Sequence, residues 1–198
     1  MLLEHAQASA KAISCRIVTA YSITWNTLSA IEPTRDEVRA HTGALAAAYN
    51  DPRNAPLLGH TSRLSEADVI EVYDTMFHSG ARPFLLFRDN TFAGDGDLRG
   101  IADGRAEFAF LVASPDAQGK GLGTRFATMV HAFGFTTLGL SKIYASVVPQ
   151  NVASRRVFEK LGYVEEASAD YGDAGDVVLA LERRRFTAEL ADIRIAVR

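Results

Sequence analysis

The chain has 198 residues, 47% hydrophobic and 23% charged, the size and composition of one globular domain. Lys and Arg number 21 against 24 Asp and Glu, a net charge of −3, which argues against nucleic acid as a main partner. The single cysteine, Cys15, rules out an internal disulfide and suits a reducing compartment.

The opening residues are too interrupted by Glu4, His5, Gln7 and Lys11 for a secretory leader. No apolar run reaches the 18 or so residues of a membrane helix. These features predict a cytoplasmic chain, with residues 1–198 forming one domain and no membrane partner. Cys15 reads as a buried free thiol; a nucleophilic role would need a paired histidine, and none is evident.

The β-branched stretch from Cys15 to Ile23 predicts a first strand. Acidic residues after Pro33-Thr34 start a helix that reaches about Tyr49, and Asn50-Asp51-Pro52 stops it. Residues 51 to 60 form a loop with two prolines. Ser65 caps a second helix with an apolar stripe of Ala67, Ile70, Tyr73 and Phe77, ended by Ser79-Gly80. Pro83 to Arg88 and Thr91 to Ile101 are strands joined by an Asp89-Asn90 turn, and Gly94 and Gly96 mark a bulge in the second. After the turn at Ala102-Asp103-Gly104, Glu107 to Val112 is a short apolar run typical of a buried strand.

Ser114 to Ala117 breaks that strand, and Gln118-Gly119-Lys120-Gly121-Leu122-Gly123 follows. A helix then runs from about Gly121 to Leu138, with Leu122, Phe126, Val130 and Phe133 on one face. Ser141 to Val148 is another buried strand. Asn151 caps a short helix over Val152 to Leu161, with Gly162 at its end. Tyr163 to Glu166 and Asp176 to Leu181 close the order as an antiparallel pair, and Arg183-Arg184-Arg185 reads as a solvated terminus. The pattern is a mixed α/β fold.

Glycines crowded at a strand-to-helix turn allow positive φ and close approach of a ligand. The helix start behind them offers unpaired N–H groups and a partial positive charge, an arrangement suited to phosphate. A P-loop is excluded because Lys120 lies between glycines and is followed by Gly121. A dinucleotide fingerprint fails because position 124 is Thr. What fits is Gln/Arg-x-x-Gly-x-Gly/Ala, carried by Gln118, Gly121 and Gly123. Further on, Asn151-Val152-Ala153-Ser154-Arg155-Arg156-Val157-Phe158-Glu159-Lys160-Leu161-Gly162-Tyr163 fits Asn-x-x-Ser/Ala-x-x-Val/Leu-Phe/Tyr-x-Lys-x-Gly-Phe/Tyr at every fixed position.

Together these segments resemble the GNAT N-acetyltransferase family, with the flavour of its ribosomal-protein N-terminal acetyltransferase branch. The resemblance covers roughly residues 84–182; the strand and two helices of residues 13–80 match in outline. It implies a mostly antiparallel twisted sheet, helices on both faces, and two parallel strands bearing Val112 and Val147 that splay apart.

It also implies acetyl-CoA as the cofactor and a primary amine as acceptor, either a small molecule or a protein N-terminus, in a monomer or homodimer. Backbone from Gly119 to Thr124, including Lys120 and Leu122, would face the pyrophosphate. Val112, Ala113 and Ser114 would pair with the pantetheine arm and supply an oxyanion N–H. Asn151 would hold the pantetheine chain, a role compatible with plain N-capping.

Two residues are candidates for proton transfer. Glu107 is the candidate base, or else a strand-end carboxylate paired with Arg105 or Arg99; its interval to Gln118 is one residue longer than the common spacing. Ser154 is the candidate partner of the leaving thiolate, or else satisfied by its own backbone, with Tyr144 as an alternative. Trp25, Tyr49, Tyr73 and Phe77 are candidates to line the acceptor pocket or to be core. Asp170, Asp173 and Asp176 would attract a cationic amine or form a solvated turn. His131 reads as a surface residue. His41, His60 and His78 lack ligand spacing, so no metal is expected.

Overall fold

The computed structural model describes residues 19–58, 62–113, 119–166, 171–172 and 175–198. Ser114, Gln118, His60, Asp170, Asp173 and Cys15 lie outside the described residues. No helix among those described is long and apolar enough to cross a membrane.

The elements run β1 (Tyr21–Trp25), β2 (Leu28–Ile31), α1 (Arg35–Asn50), α2 (Glu66–Ser79), β3 (Arg82–Arg88), β4 (Thr91–Ala102) and β5 (Arg105–Val112). They continue with α3 (Leu122–Thr136), β6 (Lys142–Val147), α4 (Val152–Leu161), β7 (Val164–Glu165), β8 (Val177–Glu182) and β9 (Ile193–Val197). Short 3₁₀ turns occupy Ala55–Leu57 and Arg183–Arg185.

The strands form one sheet in the order β7-β8-β6-β5-β4-β3-β2-β1-β9. Every pairing is antiparallel except β5 with β6. One face carries the larger core, in which Phe126, Val130 and Phe133 of α3 meet Phe84, Leu98 and Phe108. The other carries a smaller core where Leu45 of α1 and Val69 and Tyr73 of α2 cover Leu85.

Local chemistry explains the helices. Thr34 accepts from the Glu37 N–H while the Glu37 carboxylate accepts from Thr34 N–H, and Ser65 and Asp68 repeat the exchange at α2. Each exchange satisfies two orphan donors of a helix start. Gly80 and Gly162 close α2 and α4 in left-handed geometry. The Asp89-Asn90 turn has φ of 49° and 61°, the twist that suits a two-residue hairpin.

Three expectations need correction. The first strand begins at Tyr21 and is one arm of a hairpin, with Asn26 at φ 53° in its turn and β2 as the other arm. Arg183–Arg185 are exposed, but they are not a terminus: β9 follows and pairs along all of β1. The α2 stripe keeps Tyr73, with Phe77 packed beside it, but Val69 is buried where Ala67 was expected and Ala67 is exposed.

Candidate active site

The site is made by a fork. Strands β5 and β6 pair only from Arg105–Lys142 to Glu107–Tyr144, while β6 keeps its pairing with β8 as far as Val147. Beyond Glu107 and Tyr144 the two parallel strands separate, as the resemblance implied. The carbonyls of Ala109 and Leu111 point toward β4, and Ala113 N–H bonds to Ala93 O there at 2.9 Å. Strand alternation therefore turns the backbone groups of Phe110 and Val112 into the gap. Ala113 N–H is already committed to β4, so the gap-facing N–H groups belong to its even-numbered neighbours.

On the α3 side of the fork lies a cavity of about 280 Å³, walled by Phe110, Val112, Gly121, Thr124, Asn151 and Ser154, among others. Gly119 and Gly121 have φ of 73° and 77°, with open space where a Cβ would stand. Backbone conformation, not crowding, demands glycine at these two positions. Gly121 caps α3, and the first intrahelical bond runs from Arg125 N–H to Gly121 O at 3.0 Å. The N–H groups of Leu122, Gly123 and Thr124 thus have no partner within the helix. Gly123 brings α3 against β5, where a Cβ would stand 3.0 Å from the Phe110 ring.

Asn151 does two local jobs. Its Oδ1 accepts from Ser154 N–H at 3.0 Å, and its Nδ2 donates to Leu57 O at 3.3 Å. The start of α4 is thereby tied to the loop after α1, and both border the cavity. Lys120 is exposed at the mouth. The Arg125 guanidinium lies over Trp25, 4.8 Å from its ring centre. Trp25 packs against the larger core, away from the acceptor side.

A second cavity, of about 220 Å³, lies under α1 and α2 and is walled by Tyr49, Tyr73, Asp95, Asp97, Arg99 and Leu111, among others. The two cavities share Leu58, Phe110 and Leu111 as a common wall. The second also shares Leu64, Val72, Met76 and Arg99 with an open groove that includes Asp68 and Glu71. The surface groove, the acidic chamber and the glycine-loop cavity therefore border one another in series. Of the four aromatic candidates, Tyr49 and Tyr73 line it, whereas Phe77 packs beside Arg35.

The acids of this chamber were missed in the sequence. Asp95 and Asp97 are 3% and 1% exposed. Both Tyr49 and Tyr73 donate their hydroxyls to Asp95 Oδ2, at 2.5 and 2.8 Å. Arg99 clamps Asp97, its Nε lying 2.7 Å from Oδ2. Burial pushes the Asp95 carboxyl up to about 6, against the lowering pull of the two tyrosines. Burial likewise raises Asp97, with Arg99 opposing. The signal was the alternation Gly94-Asp95-Gly96-Asp97, which sets two carboxylates on one face of a strand. The glycines there permit close approach of β5: a Cβ on Gly96 would lie 2.6 Å from Ala109 O.

Glu107 stands at the fork, opposite Arg99 across β4 and β5, and its charge helps hold the Arg99 guanidinium protonated. It belongs to neither chamber wall. Tyr144 is 5% exposed, stacks on Tyr171 at 4.4 Å and donates to Glu166. Asp176 accepts from Ser146 Oγ at 2.7 Å. His131 is fully buried, which corrects the surface assignment. Its Nδ1 lies 2.6 Å from Ala127 O, so Nδ1 carries the proton and Nε2 accepts from the Tyr163 hydroxyl. Its burial among apolar rings follows from the helix phase, since it stands one residue beyond Val130 on a helix buried on nearly every side.

The family description "Acetyltransferase (GNAT) domain" matches residues 32–164. Spermidine N(1)-acetyltransferase of Escherichia coli K12 is 36% identical over 102 residues, 50% of this chain and 54% of that protein. The chain thus spans about half the length of the curated relatives it matches first. The crystal structure of spermidine N-acetyltransferase from Vibrio cholerae in complex with CoA and spermine superposes with a TM-score of 0.66 at 23% identity, over 82% of this chain and 99% of that one. Mycobacterium smegmatis RimJ in complex with CoA-disulfide gives 0.65 at 18% identity, over 87% and 90%. At such identities the structural likeness speaks for the fold. The family match spans well over half of the chain and includes both glycine-loop and Asn151 segments: this chain belongs to the GNAT acetyltransferase family.

Proposed function

We propose that the chain transfers an acetyl group from acetyl-CoA to the primary amine of a small cationic molecule, both bound at once. The observation that carries this reading is the shared wall at Leu58, Phe110 and Leu111, where the glycine-loop cavity meets the acidic chamber. The residues present suit the cofactor: two left-handed glycines with open space beside them, a helix start with unpaired N–H groups, and Asn151 across the cavity. Acetyl-CoA supplies the activated thioester.

The chain's own groups divide the remaining work. The N–H groups of Leu122 to Thr124 offer donors and a dipole to the pyrophosphate. The gap-facing backbone of Phe110 is the stretch that would pair with an extended arm, as an added strand would. An N–H on this gap-facing edge of β5 would donate to the developing oxyanion. Ser154, in the first turn of α4 and on the cavity wall, is the hydroxyl that would donate to the departing sulfur. The acceptor amine must lose a proton before it attacks. By the resemblance this role falls to Glu107, whose place at the fork supports it and whose absence from both walls requires a bridging water. The groove mouth carries Asp68 and Glu71 together with Arg63 and Arg99, so the preference for a cation rests on the buried Asp95 and Asp97 of the chamber. The open groove also admits the N-terminal amine of an extended peptide.

The test is thermal unfolding with and without coenzyme A, then a panel of diamines, polyamines, aminoglycosides and short peptides read by free thiol release. Saturation at 100 times the dissociation constant stabilises by about 2.7 kcal/mol, a visible rise in midpoint. The expected outcome is that rise together with thiol release for at least one cationic small amine. A rise with no release for any amine would favour a coenzyme A-binding regulatory module, and no rise at millimolar coenzyme A would sink the cofactor assignment.

A further inference from the structure

We infer that Asp95, rather than Glu107 acting through water, is the group that takes the proton from the acceptor amine; this rests on the acetyl-transfer reading above. Three observations converge on it. First, Asp95 walls the chamber that meets the glycine-loop cavity, and its register partner on β5 is Leu111, one of the three residues common to both cavities. Glu107 lies four residues back along β5 and walls neither. Second, Asp95 is 3% exposed, and both tyrosine hydroxyls converge on Oδ2. Oδ1 accepts no hydrogen bond among the described residues. No fully enclosed side-chain oxygen there lacks a partner, so Oδ1 keeps its access to the chamber. A carboxylate with one oxygen pinned and the other open is oriented for a single incoming donor. Third, the neighbouring carboxylate is unsuited to the task, because Asp97 is held by Arg99.

The charged and titratable groups around Asp95 come from each packed element: Tyr49 of α1, Tyr73 of α2, and Asp97 and Arg99 of its own strand. Its register partners Leu85 of β3 and Leu111 of β5 are apolar. Burial, the largest influence, raises its carboxyl to about 6, while the two tyrosines and Arg99 lower it. A base with that affinity is ionised at neutral pH and still able to hold a proton. The ammonium gives one proton to Asp95 Oδ1. As the nitrogen–carbon bond forms and the carbon–sulfur bond breaks, the second proton goes to the departing thiolate. Asp95 then returns its proton to water along the groove.

The experiment is the pH dependence of kcat/KM for the wild type, Tyr73→Phe, Asp95→Asn and Glu107→Gln, with coenzyme A affinity measured for each. Tyr73→Phe removes a hydrogen bond that favours the carboxylate and keeps the ring, so the acidic limb should move to higher pH. A tyrosine that merely packs would not move it. Asp95→Asn should lower kcat by about 10²–10⁴-fold at unchanged coenzyme A affinity, and Glu107→Gln should leave the limb in place. An unmoved limb in Tyr73→Phe, or a limb erased by Glu107→Gln, overturns the inference while acetyl transfer itself stands. If Asp95→Asn does not fold, Tyr73→Phe and Glu107→Gln still decide. Wild-type protein that releases no thiol with any amine overturns the functional reading, and this inference with it.

Discussion

Gly121 shows how much of the site depends on single backbone conformations. Its φ of 77° sets the start of α3, and no side chain is needed to fill the space beside it. Replacing it with aspartate adds strain of about 1 kcal/mol and places a negative charge where the helix start is meant to meet phosphate. Gly121→Asp should therefore weaken coenzyme A binding by 100-fold or more in titration calorimetry, on the order of 3 kcal/mol, while lowering the melting temperature without ligand by only about 2–4 °C. Unchanged affinity would remove the glycine loop from the site. Gly96 fails differently. A methyl there would press on the Ala109 carbonyl, 2.6 Å away, and backbone cannot swing aside. Gly96→Ala should cost about 1–3 kcal/mol in chemical denaturation, and by moving Ala109 and Leu111 it should also lower turnover. At this scale the cofactor side was legible because its residues sit close in sequence and have fixed spacing. The acidic chamber was not. Its parts come from α1, α2 and β4, and an aspartate between glycines reads as a turn until its strand is seen to be buried.

Among the elements, the helices were legible and the edge strands were not. A helix announces itself locally, through Thr34 with Glu37 or Ser65 with Asp68. A strand of four or five residues acquires its identity only from a partner distant in sequence. β9 is the clearest instance, because it joins β1 across nearly the whole chain, pairing Tyr21–Trp25 with Ile193–Val197. Its charged and alternating sequence carries no sign of that partner. The pairing is reinforced at its end, where Arg198 donates to Glu32 O at 2.7 Å and to the Glu37 carboxylate of α1. Removing residues 190–198 would strip these bonds, uncover Ile23 and leave β1 as an open edge. The truncated chain should unfold several degrees lower in calorimetry and self-associate in size-exclusion chromatography. Coenzyme A affinity should hold, since the fork lies five strands away. A truncated chain as stable and monodisperse as the full one would show that β9 is dispensable to the sheet.

For the molecule as a whole, two buried ionisable groups on opposite faces of the sheet set opposing pH dependences. Burial lowers His131 to about 4 from an ordinary 6.5. Between those values the unfolded chain holds a proton that the native chain rejects, so stability falls as pH falls through that window. Burial raises Asp95 to about 6 from an ordinary 3.8. Between those values the native chain holds a proton that the unfolded chain has lost, so this contribution is full at low pH and disappears as pH rises through about 6. A tenfold change in proton affinity is worth about 1.4 kcal/mol, so each group contributes roughly 3 kcal/mol over its window, with opposite sign. Asp97, also raised by burial, works in the direction of Asp95. Glu37 is held down to about 2, chiefly by Arg198, and its contribution is lost only below about 4.5. With Asp95 and Asp97 opposing His131, the wild type should therefore lose little or no stability as the pH falls from 6 to 4.5, measured by urea titration at each pH. Asp95→Asn should expose the histidine and lose stability steadily over that range. His131→Gln should do the reverse and gain stability as the pH is lowered toward 4.5. Parallel profiles for both variants and the wild type would mean that neither buried group keeps its altered proton affinity in the native protein.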